Sequence, residues 1–293
     1  AEGRKVESFN SGWSFKKAPA EKELAINAPK WDKGWSEVEI PHTWNAKDMQ
    51  VQANSFYEGA AYYKKQYFFP AELKDKRVFL RFEGVGSCAE VFVNGMLATS
   101  HKGGYSAFAC EISPLLKAGE ENEIIVKADN KSRPDVIPVN HNLFGVYGGI
   151  YRPVWLVVTE PCNISVTDCA SPGVYVTQKN VSKKQADVKV KVKLDNGTLQ
   201  PVPVTLQNTI YDQEGKQVAT HSQSFELSAQ GEQAYESSFT IKKPTLWQGR
   251  ENPYLYKVVS RLIKDGQVID EMVQPLGLRK YEIVAGKGFY LNG

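Results

Sequence analysis

Apolar and charged residues alternate strictly from Asp187 to Leu194, with Val188, Val190, Val192 and Leu194 on one side and Asp187, Lys189, Lys191 and Lys193 on the other. A period of two puts successive side chains on opposite faces, so this run predicts an antiparallel strand covered on one side and wetted on the other. The same reading predicts strands over Arg77–Phe82, Glu90–Val93, Glu123–Lys127 and Val154–Val158 in the first half. In the second half it predicts Val202–Asp212, Gln217–Leu227, Gln233–Ile241 and Leu255–Lys264, separated by turns such as Gln213-Glu214-Gly215 and Asp265-Gly266. Asn94-Gly95 after an alternating run predicts a type I′ hairpin turn, because both central residues of that turn need positive φ. No long stretch has the 3.6-residue period of a capped helix, so the fold class is all-β.

About seven strands in the second half fit an immunoglobulin-like β-sandwich. The first half is longer and holds five of the six tryptophans, which suits a larger jelly-roll β-sandwich. Pro161 and Pro172-Gly173 mark the junction, giving domains over 1–161 and 162–276. Residues 277–293 form a linker and a hairpin: a strand over Tyr281–Val284, a turn at Gly286–Gly288, then an aromatic strand ending at Asn292-Gly293.

Composition narrows the function. With 36 basic and 33 acidic residues and no cluster of either, nucleic acid is excluded as an expected partner. No apolar run reaches the roughly 18 residues of a membrane helix, so no membrane partner is expected. Four cysteines, Cys88, Cys110, Cys162 and Cys169, match no zinc spacing and are expected as buried free thiols, with a Cys162–Cys169 bridge as the alternative. His42, His101, His141 and His221 show no paired ligand spacing, no serine sits in a nucleophile elbow, and Gly103-Gly104 and Gly148-Gly149 open no helix. Those glycine pairs are expected to permit close backbone approach instead. No metal and no cofactor is expected.

A series of segments then points to a family. Pro41-His42-Thr43-Trp44, Tyr57-Glu58-Gly59 through Tyr67, Val91–Gly95, Gly103–Phe108 and Glu111-Ile112-Ser113 precede Gly148-Gly149-Ile150-Tyr151-Arg152-Pro153-Val154-Trp155-Leu156. Leu246-Trp247, Pro253–Tyr256 and the closing Gly277-Leu278-Arg279 with Gly288-Phe289-Tyr290-Leu291-Asn292-Gly293 complete it. In order and spacing the series resembles the front half of family 2 of the glycoside hydrolases, with the β-galactosidase branch taken first and β-glucuronidase or β-mannosidase specificity as the alternative. Tyr62 stands where tryptophan is frequent in the family, and Leu278 where phenylalanine is common. The resemblance implies that Phe9–Phe15 is the first jelly-roll strand and that 277–293 leads into a catalytic TIM barrel.

Both catalytic glutamates of the family lie on that barrel, so the resemblance implies no catalytic residue in this segment and an inactive piece. The Asn-Glu pair typical of the family's acid/base occurs once, at Asn122-Glu123, but begins a sandwich strand and is read as coincidental. The resemblance also implies that the loop Asp135–Tyr147 helps shape the sugar pocket. Its candidate substrate contacts are Asn140 and Asn142, with Asn54 in the loop Met49–Tyr57 a third; a turn-forming role competes for each. His42 is read as a packing residue over a sugar contact, and Arg152 as a partly buried ion-pair or backbone anchor.

The implied partners are a carbohydrate substrate and the downstream barrel, with a homo-oligomer interface a further role open to the segment. The competing reading is a free-standing carbohydrate-binding module with Trp31, Trp35 and Trp44 as a stacking platform. Residues 277–293 argue against it, since such a module has no use for them. The start without Met is consistent with a removed leader and equally with a start chosen for expression; the expected compartment is periplasmic or secreted.

Overall fold

The computed structural model describes residues 3–18, 33–48, 56–139 and 145–293, and the described residues contain strands and two short 3₁₀ turns but no α-helix. The chain is a jelly-roll β-sandwich followed by an immunoglobulin-like one. By contacts it divides into one unit of residues 6–158 and another of residues 159–293 together with residues 1–5.

The first unit holds β1 (Lys5–Ser8), β2 (Trp13–Lys17), β3 (Ser36–Val38), β4 (Ala60–Phe69), β5 (Arg77–Phe82), β6 (Cys88–Val93), β7 (Met96–Lys102), β8 (Phe108–Glu111), β9 (Glu120–Asp129) and β10 (Val154–Thr159). One sheet runs β1-β10-β5-β8 and the other β3-β2-β4-β9-β6-β7. Between them lie Trp13, Tyr63, Leu80, Phe82, Val91, Val93, Ile124 and Val126, all buried. The run Phe9–Phe15 is not one strand. Asn10 and Gly12 (φ 76°) turn the chain from one sheet to the other: Val154 N–H donates to Asn10 Oδ1 at 2.8 Å, and β2 starts only at Trp13. The hairpin β6–β7 turns on Asn94 (φ 50°) and Gly95 (φ 80°), with a bulge after Val91.

The second unit holds β11 (Cys162–Ile164), β12 (Val174–Lys179), β13 (Gln185–Asn196), β14 (Val202–Tyr211), β15 (Gln217–Leu227), β16 (Gly231–Lys242), β17 (Tyr256–Lys264), β18 (Gln267–Leu276) and the hairpin β19 (Tyr281–Val284) with β20 (Gly288–Leu291). In one sheet β11 and β12 share an edge of β13, whose other edge takes β16; the facing sheet runs β15-β14-β17-β18. Ala186, Val188, Val190, Val192 and Leu194 of β13 are buried, as the alternation requires. On its outer side Lys189 pairs with Glu236 at 3.3 Å, and Lys193 with Asp168 at 2.9 Å. The core has one polar layer across the sandwich: Ser260 donates to Asn208 Oδ1 at 2.6 Å, and Asn208 Nδ2 donates to Ser237 Oγ at 3.0 Å.

Three turns are closed by asparagine side chains. Asn94 Nδ2 donates to Leu115 O and Asn122 Oδ1 while its Oδ1 accepts from Glu123 N–H. Asn196 Nδ2 donates to Gln200 O and Leu227 O, and its Oδ1 accepts from Thr198. Asn292 Nδ2 donates to Trp247 O and Gln248 Oε1, and its Oδ1 accepts from Lys280 N–H. Leu278 is fully buried, so the apolar anchor expected there is present. Beyond it, Tyr281, Ile283 and Phe289 are 64%, 77% and 65% exposed on one face of the terminal hairpin.

All four cysteines are free. Cys110 and Cys162 are buried, and burial pushes the Cys110 thiol up to about 12. Cys88 is half-buried and Cys169 is exposed, which corrects the expectation of four buried thiols. Cys169 sits in a turn with φ 50°, and a turn at the surface offers no core for it to join.

Candidate functional site

At one end of the first unit, the segments Ile40–Asp48, Phe56–Gly59, Asn130–Val139 and Gly145–Ile150 converge. Their backbone polar groups leave the sheets here, so side chains must satisfy them. Two buried amides do most of this. Asn45 Oδ1 accepts from Gly148 N–H at 2.8 Å and from Asn130 Nδ2 at 3.2 Å, while its Nδ2 donates to Asp48 Oδ2 at 2.9 Å and Tyr57 O at 3.0 Å. Asn130 Oδ1 accepts from Gly59 N–H at 2.9 Å, and its Nδ2 also donates to Tyr57 O at 3.2 Å and Val146 O at 2.9 Å. Thr43 Oγ1 donates to Gly148 O at 2.7 Å.

The glycine pair closes the same knot. Gly148 lies against the Trp44 indole so tightly that a Cβ would stand 1.9 Å from Trp44 Cζ2. Gly149 (φ 118°) pairs with Gly86 in an antiparallel bridge, and its missing Cβ would meet Tyr63 Oη at 2.4 Å. The pair therefore permits close approach, and it builds no anion cradle.

Trp44 is buried and donates Nε1 to Tyr57 O at 3.3 Å, so it cannot serve as a stacking platform. Trp35 is half-buried beside Tyr62, Ile125 and Phe92, with Lys64 Nζ 4.5 Å from its ring, and Trp31 lies outside the described residues. Arg152 departs from its expected role. It is exposed, forms no ion pair among the described residues, and its guanidinium lies 5.8 Å from the Tyr151 ring centroid. The Glu83 carboxylate nearby is taken by Arg81 and by Trp155 Nε1, both at 3.0 Å. Tyr151 Oη instead donates to Gly104 O.

His42 is a packing residue. Its ring stands 4.7 Å from Phe15 and its Nδ1 lies 2.7 Å from Tyr63 Oη. Burial lowers the His42 pKa and raises that of Tyr63. The unfolded chain therefore takes up a proton near pH ~6.5 while the folded protein resists it. Stability from the neutral ring is complete above pH ~6.5 and is lost as pH falls through the folded pKa. His101 is lowered by burial too and adds with the same sign. Urea midpoints at pH 7.5 and 5.5 are expected to separate less in His42→Phe than in the parent; an equal separation would remove His42 from the effect.

The loop after Asn130 is fastened at its start. Asp135 accepts from Lys102 Nζ at 2.7 Å and Arg133 Nε at 3.0 Å, and these hydrogen bonds hold its carboxyl well below the usual range. Ile137, Val139 and Tyr147 are exposed along it. Asn54, Asn140 and Asn142 lie outside the described residues. Sequence reasoning missed Asn45 and Asn130, which tie the bases of the loops that carry those three. Nothing local marks a buried amide, and the positions of Asn45 after the Pro-His-Thr-Trp run and of Asn130 at a strand end were the only signals. Asn122 proves structural, fully buried with its Oδ1 accepting from Lys117 N–H at 2.8 Å and from Asn94 Nδ2 at 2.8 Å. Among the described residues no group of three His, Cys, Asp or Glu could hold a metal ion.

The fold defines the class as a jelly-roll β-sandwich followed by an immunoglobulin-like one. The sequence profile "Glycosyl hydrolases family 2, sugar binding domain" matches residues 6–161, and "Glycosyl hydrolases family 2" matches residues 172–279. The chain belongs to family 2 of the glycosyl hydrolases. It is 42% identical over 260 residues to a β-glucuronidase of Bacteroides fragilis, covering 87% of this chain and 36% of that protein. It is 30% identical to a β-galactosidase of Bacteroides ovatus, over 99% of this chain and 31% of the relative. A crystal structure of a B. fragilis protein provisionally named a β-galactosidase superposes with a TM-score of 0.96 at 72% identity, covering 99% of this chain and 43% of that one. The chain thus spans about a third of the length of the curated relatives it matches.

Proposed function

We propose that this chain is the front portion of a retaining β-glycoside hydrolase whose substrates are β-galactosides. The observation that carries the galactoside reading is the 72% identity, over nearly the whole chain, to the B. fragilis protein provisionally named a β-galactosidase. The 42% identical relative, named a β-glucuronidase, supports β-glucuronides as the second reading. In either case the two carboxyl groups that cleave the bond, about 5 Å apart in a retaining enzyme, belong to a downstream barrel. The sandwiches buttress that barrel, and the loops based on Asn45 and Asn130 complete the sugar pocket, with Asn140, Asn142 and Asn54, chosen by sequence position, as the candidate sugar contacts. The exposed face of Tyr281, Ile283 and Phe289 is the surface the barrel covers.

The test is hydrolysis of chromogenic β-galactoside, β-glucuronide and β-mannoside by residues 1–293 and by the same protein extended through the barrel. Turnover is expected from the extended protein alone, fastest on the galactoside. Cleavage by residues 1–293 would put the catalytic carboxylates in the wrong place, and a glucuronide preference would replace the galactoside reading.

A further inference from the structure

Among the described residues, Asp270 on β18 is the one carboxylate in the fully buried class, and the charge that meets it comes from the other end of the chain. Arg4 donates Nε to Asp270 Oδ1 at 2.9 Å and Nη2 to Asp270 Oδ2 at 2.7 Å, with side chains 7% and 0% exposed. Arg4 Nη2 also donates to Ile164 O at 2.6 Å. The carboxylate is aimed by two backbone donors, Ile164 N–H to Oδ2 at 2.8 Å and Glu271 N–H to Oδ1 at 3.0 Å. Gly3 lies so close to β18 that a Cβ would stand 2.0 Å from Ile269 O. These residues all fall in the unit of residues 159–293, to which residues 1–5 belong by contact.

Two carboxylate oxygens and a carbonyl present three acceptors to one planar cation. A guanidinium fork fills them together, whereas an ammonium is a point charge that cannot span them. Removing one partner of such a pair leaves a buried charge unmatched, a far larger effect than losing an exposed ion pair.

We propose that Asp270 and the backbone of Ile164 form a guanidinium-binding socket, filled in cis by Arg4, and that residues 3–5 are a strap required by the second unit. The inference is independent of the substrate reading. When the Arg4 side chain is cut back, the socket accepts a free alkylguanidinium of matching length.

The test uses Arg4→Ala in the full chain, because alanine leaves room for N-ethylguanidinium. Its thermal transition for residues 159–293 is expected to fall by on the order of 10 °C, while that of residues 6–158 stays in place. Exchange of the Ile164 and Glu271 amides should speed by at least ~10-fold, since their acceptor is no longer held. Millimolar N-ethylguanidinium should reverse both changes in Arg4→Ala and leave the parent unmoved; equal ethylammonium should not. The double variant Arg4→Ala/Asp270→Asn should show no recovery. Should Arg4→Ala be too unstable to isolate, Arg4→Lys reads the same property by unfolding well below the parent despite its conserved charge. An unchanged transition in Arg4→Ala, equal rescue by ethylammonium, or a parent-like Arg4→Lys would overturn the socket.

Discussion

Gly148→Ala is expected to destabilise the first unit by about 3 kcal/mol or more, at the upper end of overpacking costs. The added carbon would stand 1.9, 2.2 and 2.6 Å from three atoms of the Trp44 indole, inside any van der Waals contact. Neither side has room to move. The indole is stacked 6.0 Å from Phe15, meets Tyr57 edge-on at 6.1 Å, and donates to Tyr57 O. The Gly148 backbone is held at both ends, its N–H by Asn45 and its carbonyl by Thr43. Relief therefore breaks hydrogen bonds of a buried network, each leaving an unmet group worth about 1–3 kcal/mol. Urea unfolding of Gly148→Ala beside Gly12→Ala separates crowding from backbone strain, because Gly12 has positive φ but nothing within 4 Å of its Cβ position. A Gly148→Ala variant within about 1 kcal/mol of the parent would mean the knot is looser than its distances imply.

Asn130→Ala is expected to cost a similar amount, about 3–4 kcal/mol, by a different route. It takes away the acceptor of Gly59 N–H and the donor to Tyr57 O, Val146 O and Asn45 Oδ1, in a place water does not reach. Asn130→Asp should be no milder, since its second oxygen would face the carbonyls of Tyr57 and Val146 and the Asn45 amide oxygen. Asn45 and Asn130 share a hydrogen bond and a common acceptor in Tyr57 O, so a double-mutant cycle should show coupling of about 1 kcal/mol or more. Strict additivity would deny that the two amides act as one clasp. On the proposal that the loops based on this clasp complete the sugar pocket, the same substitution in the barrel-extended protein is expected to raise KM more than it lowers kcat.

Much of the sandwich architecture was legible because a strand's periodicity is local. The alternation in β13, the limits of β5 and β15 and the Asn94-Gly95 turn follow from neighbours one or two residues apart. What escaped was set at a distance. Asn45 and Asn130 are 85 residues apart in sequence, and Arg4 and Asp270 are 266 apart. A buried asparagine and a surface turn asparagine look the same until the chain closes around one of them. The split of Phe9–Phe15 was hidden because Phe9 and Trp13 are both buried aromatics, although the chain changes sheets between them. Arg152 misled for the opposite reason: the family motif marks the position, but its exposed guanidinium lies over the Tyr151 ring, and it is Tyr151 that bonds to the Gly104 backbone.

The three turn-closing asparagines share one further trait, since Asn94, Asn196 and Asn292 are each followed by glycine. Asparagine-glycine is the pairing most prone to spontaneous deamidation, in which the next amide nitrogen attacks the side-chain carbonyl and ammonia leaves. Here each carboxamide is gripped on both its oxygen and its nitrogen, which keeps it from rotating into line for that attack. The folded protein should thus age slowly at these sites in storage, and isoaspartate should accumulate there only once the turns have opened.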